Sequence, residues 1–172
     1  LLDLFQANGD ISWSKGNVDG FAQPNMLLRG TSSGRFEVVS LPSASTARIS
    51  RGAAFGDIDG DGNIDMVVVN MDAPAAVMMN QVGRGGPGAV RVRLLDANGR
   101  PAHGAILSGR LGERSVTITM QPAYSYLASN EPIVHVGLGA VTSLDDVQVT
   151  WPDGTATRID SLDAGNHVIR QQ

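Results

Sequence analysis

Short runs of alternating apolar and polar residues, separated by glycine and proline, limit the fold of this chain more than any other feature. In the run 90–94, three apolar side chains alternate with Arg91 and Arg93, which predicts a strand with one buried face and one face in water. The runs 115–120 and 147–151 alternate in the same way. No segment sustains the 3.6-residue period of a long amphipathic helix. The sequence therefore predicts an all-β protein.

A β-hairpin is predicted near the C-terminus. Pro152-Asp153-Gly154 is typical of a tight turn, and the run 155–159 after it indicates a second, more polar strand. Trp151 continues the apolar face of the strand before the turn, so we expect it in the core.

The composition excludes several classes of protein. The 172 residues are enough for one large domain or two small ones. The net charge of -4 leaves no basic surface that would favour nucleic acid. The chain has no cysteine, which excludes disulfides, thiolate zinc sites and cysteine nucleophiles. No apolar run approaches the roughly 18 residues expected of a membrane span.

A glycine-rich run, Gly83–Gly88, suggests a domain boundary. It holds four glycines and a proline in six residues, which is typical of a linker and not of a regular element. We therefore predict one domain over residues 1–82 and a second over residues 89–172.

A weak internal repeat lies in the first of these domains. Leu2–Asn8 is similar to Ile64–Asn70, and each is followed by an apolar pair, Leu27-Leu28 in one copy and Met78-Met79 in the other. An insertion within Gly9–Asn25 accounts for the longer spacing in the first copy. Repeats of this kind are typical of propeller blades or stacked sheets. The first copy lacks an acidic loop, which suggests that the chain starts partway through a blade.

The acidic loop of the second copy is the strongest motif. Asp57, Asp59, Asp61 and Asp65 occupy positions 1, 3, 5 and 9, and glycines between them permit a tight wrap. Calcium is a hard cation that takes six to eight oxygen ligands, and alternate residues of such a loop can point to one centre. Asn63 would add its backbone carbonyl. The sequence therefore predicts a Ca²⁺ site, with a solvated acidic turn without metal as the alternative.

An EF-hand would be another calcium loop, but this sequence does not fit it. The EF-hand ends in a bidentate glutamate at position 12 between two helices. Position 12 here is Val68, and the run 66–69 indicates a strand.

The loop and its surroundings resemble the FG-GAP repeat. The similarity rests on Ala54-Phe55-Gly56, on the acidic loop and on Asp65 leading into a strand. It is close over about Arg51–Gln81 and loose over the first 50 residues. The resemblance implies blades of a β-propeller, as in integrin α chains, with calcium held between two blade strands. The family's ligands correspond to the four loop aspartates and the Asn63 carbonyl.

The C-terminal half resembles the ASPIC/UnbV domain. His135-Val136-Gly137-Leu138-Gly139 and Val147–Gly154 correspond to its H-F-G-L-G and V-x-W-P-x-G signatures, with Val136 in place of the usual phenylalanine. That domain follows FG-GAP repeats in proteins similar to cartilage acidic protein and in many bacterial exported proteins. The fold expected from both resemblances is a partial FG-GAP β-propeller segment followed by a small β-sandwich or barrel.

Two motifs look catalytic without the context that catalysis needs. Gly30–Gly34 fits G-x-S-x-G around Ser32, but a strand follows it where the nucleophile elbow needs a helix. A hairpin turn is the better interpretation. Gly83–Gly88 fits G-x-G-x-x-G, but again no helix follows to bind phosphate.

His135 lies in an apolar strand, which favours a buried, hydrogen-bonded structural role. Trp13 lies in a polar stretch and is a candidate for a ligand contact.

These inferences favour a calcium-stabilised, non-catalytic binding or adhesion module of an exported protein, extracellular or periplasmic. No catalytic or cofactor-binding residues are assigned beyond the metal ligands. A protein or carbohydrate ligand is expected, together with self-association through uncovered strand edges. The alternative is an enzyme, or an enzyme's accessory domain, acting on carbohydrate or a secondary metabolite.

Overall fold

The computed structural model describes residues 2–11, 21–41, 46–81 and 88–172, and every extended regular element within them is a strand. The all-β prediction is thus confirmed. Trp13 and most of the predicted linker, residues 83–87, lie outside the described residues. The strands are β1 (Leu4–Gln6), β2 (Met26–Gly30), β3 (Phe36–Val39), β4 (Ser50–Gly56), β5 (Asp65–Asn70), β6 (Ala76–Met78), β7 (Ala89–Leu95), β8 (Ile106–Leu111), β9 (Arg114–Thr119), β10 (Val134–Gly137), β11 (Ser143–Thr150), β12 (Ala156–Asp163) and β13 (Gly165–Arg170).

The chain divides into two compact units. The first unit comprises Leu1–Ala54, Met66–Met78 and Ser125–Ala128. The second unit comprises Phe55–Asp65, Met79–Tyr124 and Ser129–Gln172. The acidic loop therefore belongs to the same unit as the C-terminal strands, and that unit draws residues from both sides of the glycine-rich run.

The second unit is built from two sheets around one apolar core. Their strand orders are β10-β7-β13 and β12-β11-β8-β9, and the strands described in this unit do not close into a barrel. Of the two folds expected for the C-terminal part, the sandwich is therefore the one that fits. Both sheets contribute to the core, which includes Val90, Val92, Leu94, Leu107, Val134, Val136, Leu144, Val147, Val149, Leu162 and Ile169.

Strand β7 confirms half of its predicted pattern. Val90, Val92 and Leu94 are fully buried, whereas Arg93 is exposed. Arg91 is only 8% exposed, so the prediction that both arginines face water is wrong. Its burial is tolerated because its guanidinium is ion-paired with two carboxylates, which are described below.

The predicted C-terminal hairpin is also confirmed. β11 and β12 pair antiparallel, and the turn between them is closed by a 2.9 Å hydrogen bond from the Gly154 amide to the Trp151 carbonyl. Gly154 has φ +89°, a conformation that favours glycine. Trp151 is buried in the core, and its indole Nε1 donates to Thr157 Oγ1 at 2.9 Å.

Two three-stranded sheets account for the remaining strands, in the orders β1-β2-β3 and β4-β5-β6. Their antiparallel registers support the internal repeat. Asp3 Oδ1 accepts a hydrogen bond from the Gly30 amide at 2.9 Å, and Asp65 Oδ1 accepts one from the Asn80 amide at 2.7 Å. Asp3 and Asp65 therefore occupy equivalent places, each tying the start of one strand to the end of the next.

The asparagines at the other end of each copy are equivalent as well. Asn8 Nδ2 donates to the Pro24 carbonyl at 2.8 Å, and Asn70 Nδ2 donates to the Pro74 carbonyl at 3.0 Å. The insertion in the first copy thus falls between the asparagine and the proline.

The register corrects one detail of the repeat. Leu4 pairs with Leu28 and Met66 pairs with Met78, so Leu28 corresponds to Met78. The apolar pairs are therefore offset by one residue from the alignment predicted above.

Candidate metal centre

The acidic loop joins the end of β4 to the start of β5, as the FG-GAP resemblance implies. Its two internal glycines, Gly60 and Gly62, have φ values of +77° and +90°. Residues other than glycine adopt positive φ values only at an energetic cost. The two glycines therefore allow the loop to turn twice within a few residues. Val68, at the EF-hand's twelfth position, is buried within β5, which agrees with the rejection of that motif.

Asp57 organises the loop from its first position. Its side chain is fully buried. Its Oδ1 accepts a hydrogen bond from the Gly60 amide at 2.8 Å, and its Oδ2 accepts one from the Gly62 amide at 2.9 Å. One carboxylate thereby holds both glycine bends, and the loop wraps around it.

Asp59 and Asp61 continue the wrap on the exposed side. Asp59 Oδ1 accepts from the Asp61 amide at 3.2 Å. Asp61 Oδ1 accepts from the Asn63 amide at 2.9 Å and from Asn63 Nδ2 at 3.0 Å. These local bonds direct alternate side chains inward, as turn-forming aspartates do.

Three of the predicted ligands come together. Asp57, Asp59 and Asp61 each offer a carboxylate oxygen, and these oxygens lie within 4.8 Å of one another. Carboxylate oxygens are hard ligands, and their spacing fits one calcium ion with oxygens at about 2.3–2.6 Å. The donor set therefore fits Ca²⁺, which would relieve the repulsion between carboxylates held this close.

Asp65 lies outside this group of three. It is buried, and both of its oxygens accept backbone hydrogen bonds: Oδ2 from the Ile58 amide at 2.8 Å and Oδ1 from the Asn80 amide at 2.7 Å. Asp65 thus fastens the end of the loop to its beginning. Its predicted role as a metal ligand, and that of the Asn63 carbonyl, stay predictions.

Arg91 of β7 is ion-paired with the first residue of the loop. Its Nη1 lies 3.2 Å from Asp57 Oδ2. Its Nη2 donates to both oxygens of Glu131, at 2.9 and 3.0 Å, and its Nη1 also donates to Asn166 Oδ1 at 2.8 Å. A planar guanidinium can bond acceptors on three different residues at once because its N–H donors point in fixed, separate directions.

Residues 130 and 131 add a second attachment. The Phe55 amide donates to Asn130 Oδ1 at 2.8 Å, and the Glu131 amide donates to the Phe55 carbonyl at 3.0 Å. The Asp57 amide donates to Glu131 Oε2 at 3.2 Å. The end of β4 and the first residue of the loop are therefore hydrogen-bonded to the segment that leads into β10.

His135 contributes the third attachment. Its Nε2 lies 2.7 Å from the Gly62 carbonyl oxygen, so the ring nitrogen that faces the loop carries the proton and donates. The predicted hydrogen bond is thus present, but His135 is half-buried and not buried as predicted, because it lies on the face of β10 opposite to Val134 and Val136. Its structural role stays a prediction. Its partner in the acidic loop was not foreseen.

Ser32 lies where a hairpin turn was predicted. The turn connects β2 to β3 and is closed by a 2.8 Å bond from the Thr31 amide to the Arg35 carbonyl. Gly34 has φ +74°. The other two histidines are far from the loop in sequence; His103 is exposed and His167 Nε2 bonds the Asp163 carbonyl at 2.8 Å.

Comparison with known families adds one finding. Residues 95–172 match the family model described as ASPIC and UnbV. The ASPIC/UnbV match contains both C-terminal signatures, and with them Glu131 and His135, while Arg91 and the acidic loop precede it. No curated protein has significant similarity to the chain. The FG-GAP resemblance of the acidic loop stays a prediction.

Within the described residues there is no helix with the length and apolar character needed to cross a membrane.

Proposed function

We propose that this chain is a calcium-stabilised, non-catalytic binding or adhesion module of an exported protein. The observation that carries the proposal is the convergence of the Asp57, Asp59 and Asp61 carboxylates in a loop that glycine bends and backbone amides hold in place. The ion would act as a structural cross-link, and Asp65 would join the ligands or support them from the end of the loop.

The ligand of the module is proposed to be a protein or a carbohydrate, in an extracellular or periplasmic setting. The FG-GAP resemblance and the ASPIC/UnbV match support this setting, because the two modules are expected together in exported proteins. Self-association through strand edges is a further proposal. It is supported by β3, an edge strand in the described sheet, where Phe36 and Val38 are exposed.

The enzyme alternative has less support among the described residues. Ser32 occupies a hairpin turn, and His135 is bonded to the Gly62 carbonyl. If the loop acids bind calcium, they are not available as a general acid and base.

The proposal is tested by thermal unfolding in calcium and in EDTA. An ion that binds only the folded state stabilises it by RT ln(1 + [L]/Kd). With Kd about 10⁻⁴ M and calcium at about 2 mM, this amounts to roughly 1.8 kcal/mol. For a chain of this size, we expect the melting temperature to rise by about 4–7 °C.

Asp59→Ala is the matching variant. Asp59 is exposed, so its loss should leave the fold intact and abolish the calcium response. Equal melting temperatures of the wild type in calcium and EDTA would refute the proposed metal site.

A further inference from the structure

We propose that Arg91, Glu131 and His135 are positioning residues for the acidic loop, so that the C-terminal sandwich sets the affinity of the loop for calcium. This inference rests on the proposed function of the loop. It assigns a role to the C-terminal part of the chain: it supplies the outer support of a metal site whose ligands all come from the preceding repeat.

The first argument is the burial of Arg91. Arg91 is only 8% exposed, so its guanidinium loses most of its hydration, and only close pairing compensates for that loss. The pairing is divided between Asp57 in the loop and Glu131 in the C-terminal part. Arg91 Nε is buried and has no hydrogen-bond partner among the described residues. Both carboxylates are therefore bonded through the terminal nitrogens, which fixes their separation.

The second argument is where the attachments lie along the loop. Arg91 and Glu131 hold position 1 through the side chain and the amide of Asp57. His135 holds position 6 through the Gly62 carbonyl. Asp59 and Asp61 lie between these points with exposed side chains. The support thus fixes positions 1 and 6 of the loop and leaves the carboxylates at positions 3 and 5 accessible to solvent, from which an ion would arrive.

The third argument is energetic. A loop already in its bound shape loses less conformational entropy when the ion binds, and affinity rises accordingly. Residues that orient metal ligands typically change affinity by about 10–100-fold when they are replaced. Arg91 also has an opposing effect, because its positive charge weakens cation binding. A test must therefore separate its geometry from its charge.

Arg91→Lys makes that separation. Lysine keeps the charge but has a single ammonium group, which cannot contact Asp57, Glu131 and Asn166 with the same geometry. Arg93→Lys is the matched control, since Arg93 lies two residues along the same strand with its side chain exposed. Calcium dissociation constants are measured by titration calorimetry, and melting temperatures are measured in EDTA.

We expect Arg91→Lys to raise the calcium Kd by about tenfold or more, and Arg93→Lys to leave it unchanged. A lower melting temperature in EDTA with an unchanged Kd would show a merely structural role for Arg91 and overturn the inference. If the wild type itself does not bind calcium, the proposed function fails, and that result is distinct from the failure of the inference.

A second variant covers the case in which Arg91→Lys does not fold. His135→Phe keeps a ring of similar size and removes only the bond to the Gly62 carbonyl. We expect the calcium Kd of His135→Phe to be higher than that of the wild type. A wild-type Kd in folded His135→Phe would contradict the inference.

Discussion

Both compact units are built from β-strands, but they bury their apolar side chains to different extents. In the second unit, apolar side chains of two sheets meet in one cluster that includes Leu94, Leu107 and Trp151. In the first unit, the buried apolar residues among those described are Ile49, Ala53 and Val68, while Val38 on β3 remains 71% exposed. Alternation along a strand thus marks a face that can be buried, but whether it is buried depends on a second apolar surface that packs against it.

Hydrogen bonds also hold the first unit together. Asp3 bonds the end of β2, Asn8 bonds the Pro24 carbonyl, and Arg51 Nη1 donates to the Gly9 carbonyl at 3.0 Å. Each such bond contributes only about 0.5–1.5 kcal/mol net, less than a large buried side chain. We therefore expect the second unit to be the more stable of the two.

The largest effect is expected from a matched pair of leucine truncations. Leu94 is fully buried in β7, and Leu4 in β1 is 49% exposed. Leu94→Ala removes buried surface and leaves a cavity, so the free energy of unfolding should fall by about 2–5 kcal/mol. Leu4→Ala should cost about 0.5 kcal/mol or less. Urea unfolding followed by circular dichroism measures both, and equal losses would refute the contrast between the units.

A smaller effect is expected from the two equivalent aspartates. Asp65 is buried and accepts two amide bonds, whereas Asp3 is exposed and its carboxylate accepts the Gly30 amide. An asparagine at position 65 would turn its NH₂ group toward one of the two amide donors. We expect Asp65→Asn to lower the free energy of unfolding in EDTA by about 1–3 kcal/mol.

Asp3→Asn is the control for this prediction. Its Oδ1 can still accept the Gly30 amide, so its cost should stay below about 0.5 kcal/mol. Performing both measurements in EDTA removes any contribution from calcium. If Asp65→Asn is harmful only when calcium is present, Asp65 acts as a ligand and not as a fastening of the loop.

Local patterns predicted much of the fold. Alternation identified the buried face of β7, the turn residues identified the hairpin after Trp151, and the repeat located Asp3 and Asp65 in equivalent places. Each of these features depends on residues close together in sequence or on comparison of two segments.

The contacts that support the loop could not be predicted in this way. Arg91 lies 40 residues from Glu131, and His135 lies 73 residues from Gly62. Their meeting depends on sheet order, since β7 pairs antiparallel with β10 and parallel with β13. An arginine on the polar face of a strand has no local feature that distinguishes a buried ion pair from an exposed side chain. The sequence around His135 likewise does not indicate that its side chain bonds the Gly62 carbonyl.

The smallest effect is expected at two hairpin turns, the turn after Trp151 in the second unit and the turn between β2 and β3 in the first. In the second unit, a hydrogen bond from the Thr155 hydroxyl, with a second from its amide, holds the pKa of Asp153 below its ordinary value. A lowered pKa in the folded state stabilises the fold above the unfolded pKa, about 3.9, and this contribution is lost as the pH falls through the folded pKa. Thr155→Val should therefore raise the Asp153 pKa, which NMR titration measures, and its stability difference from the wild type should shrink in acid. Thr31→Val is the control, because the Thr31 hydroxyl bonds the Arg35 carbonyl and not a carboxylate. Its stability difference should not change over the same pH range, and a parallel change in both variants would contradict the assignment to Asp153.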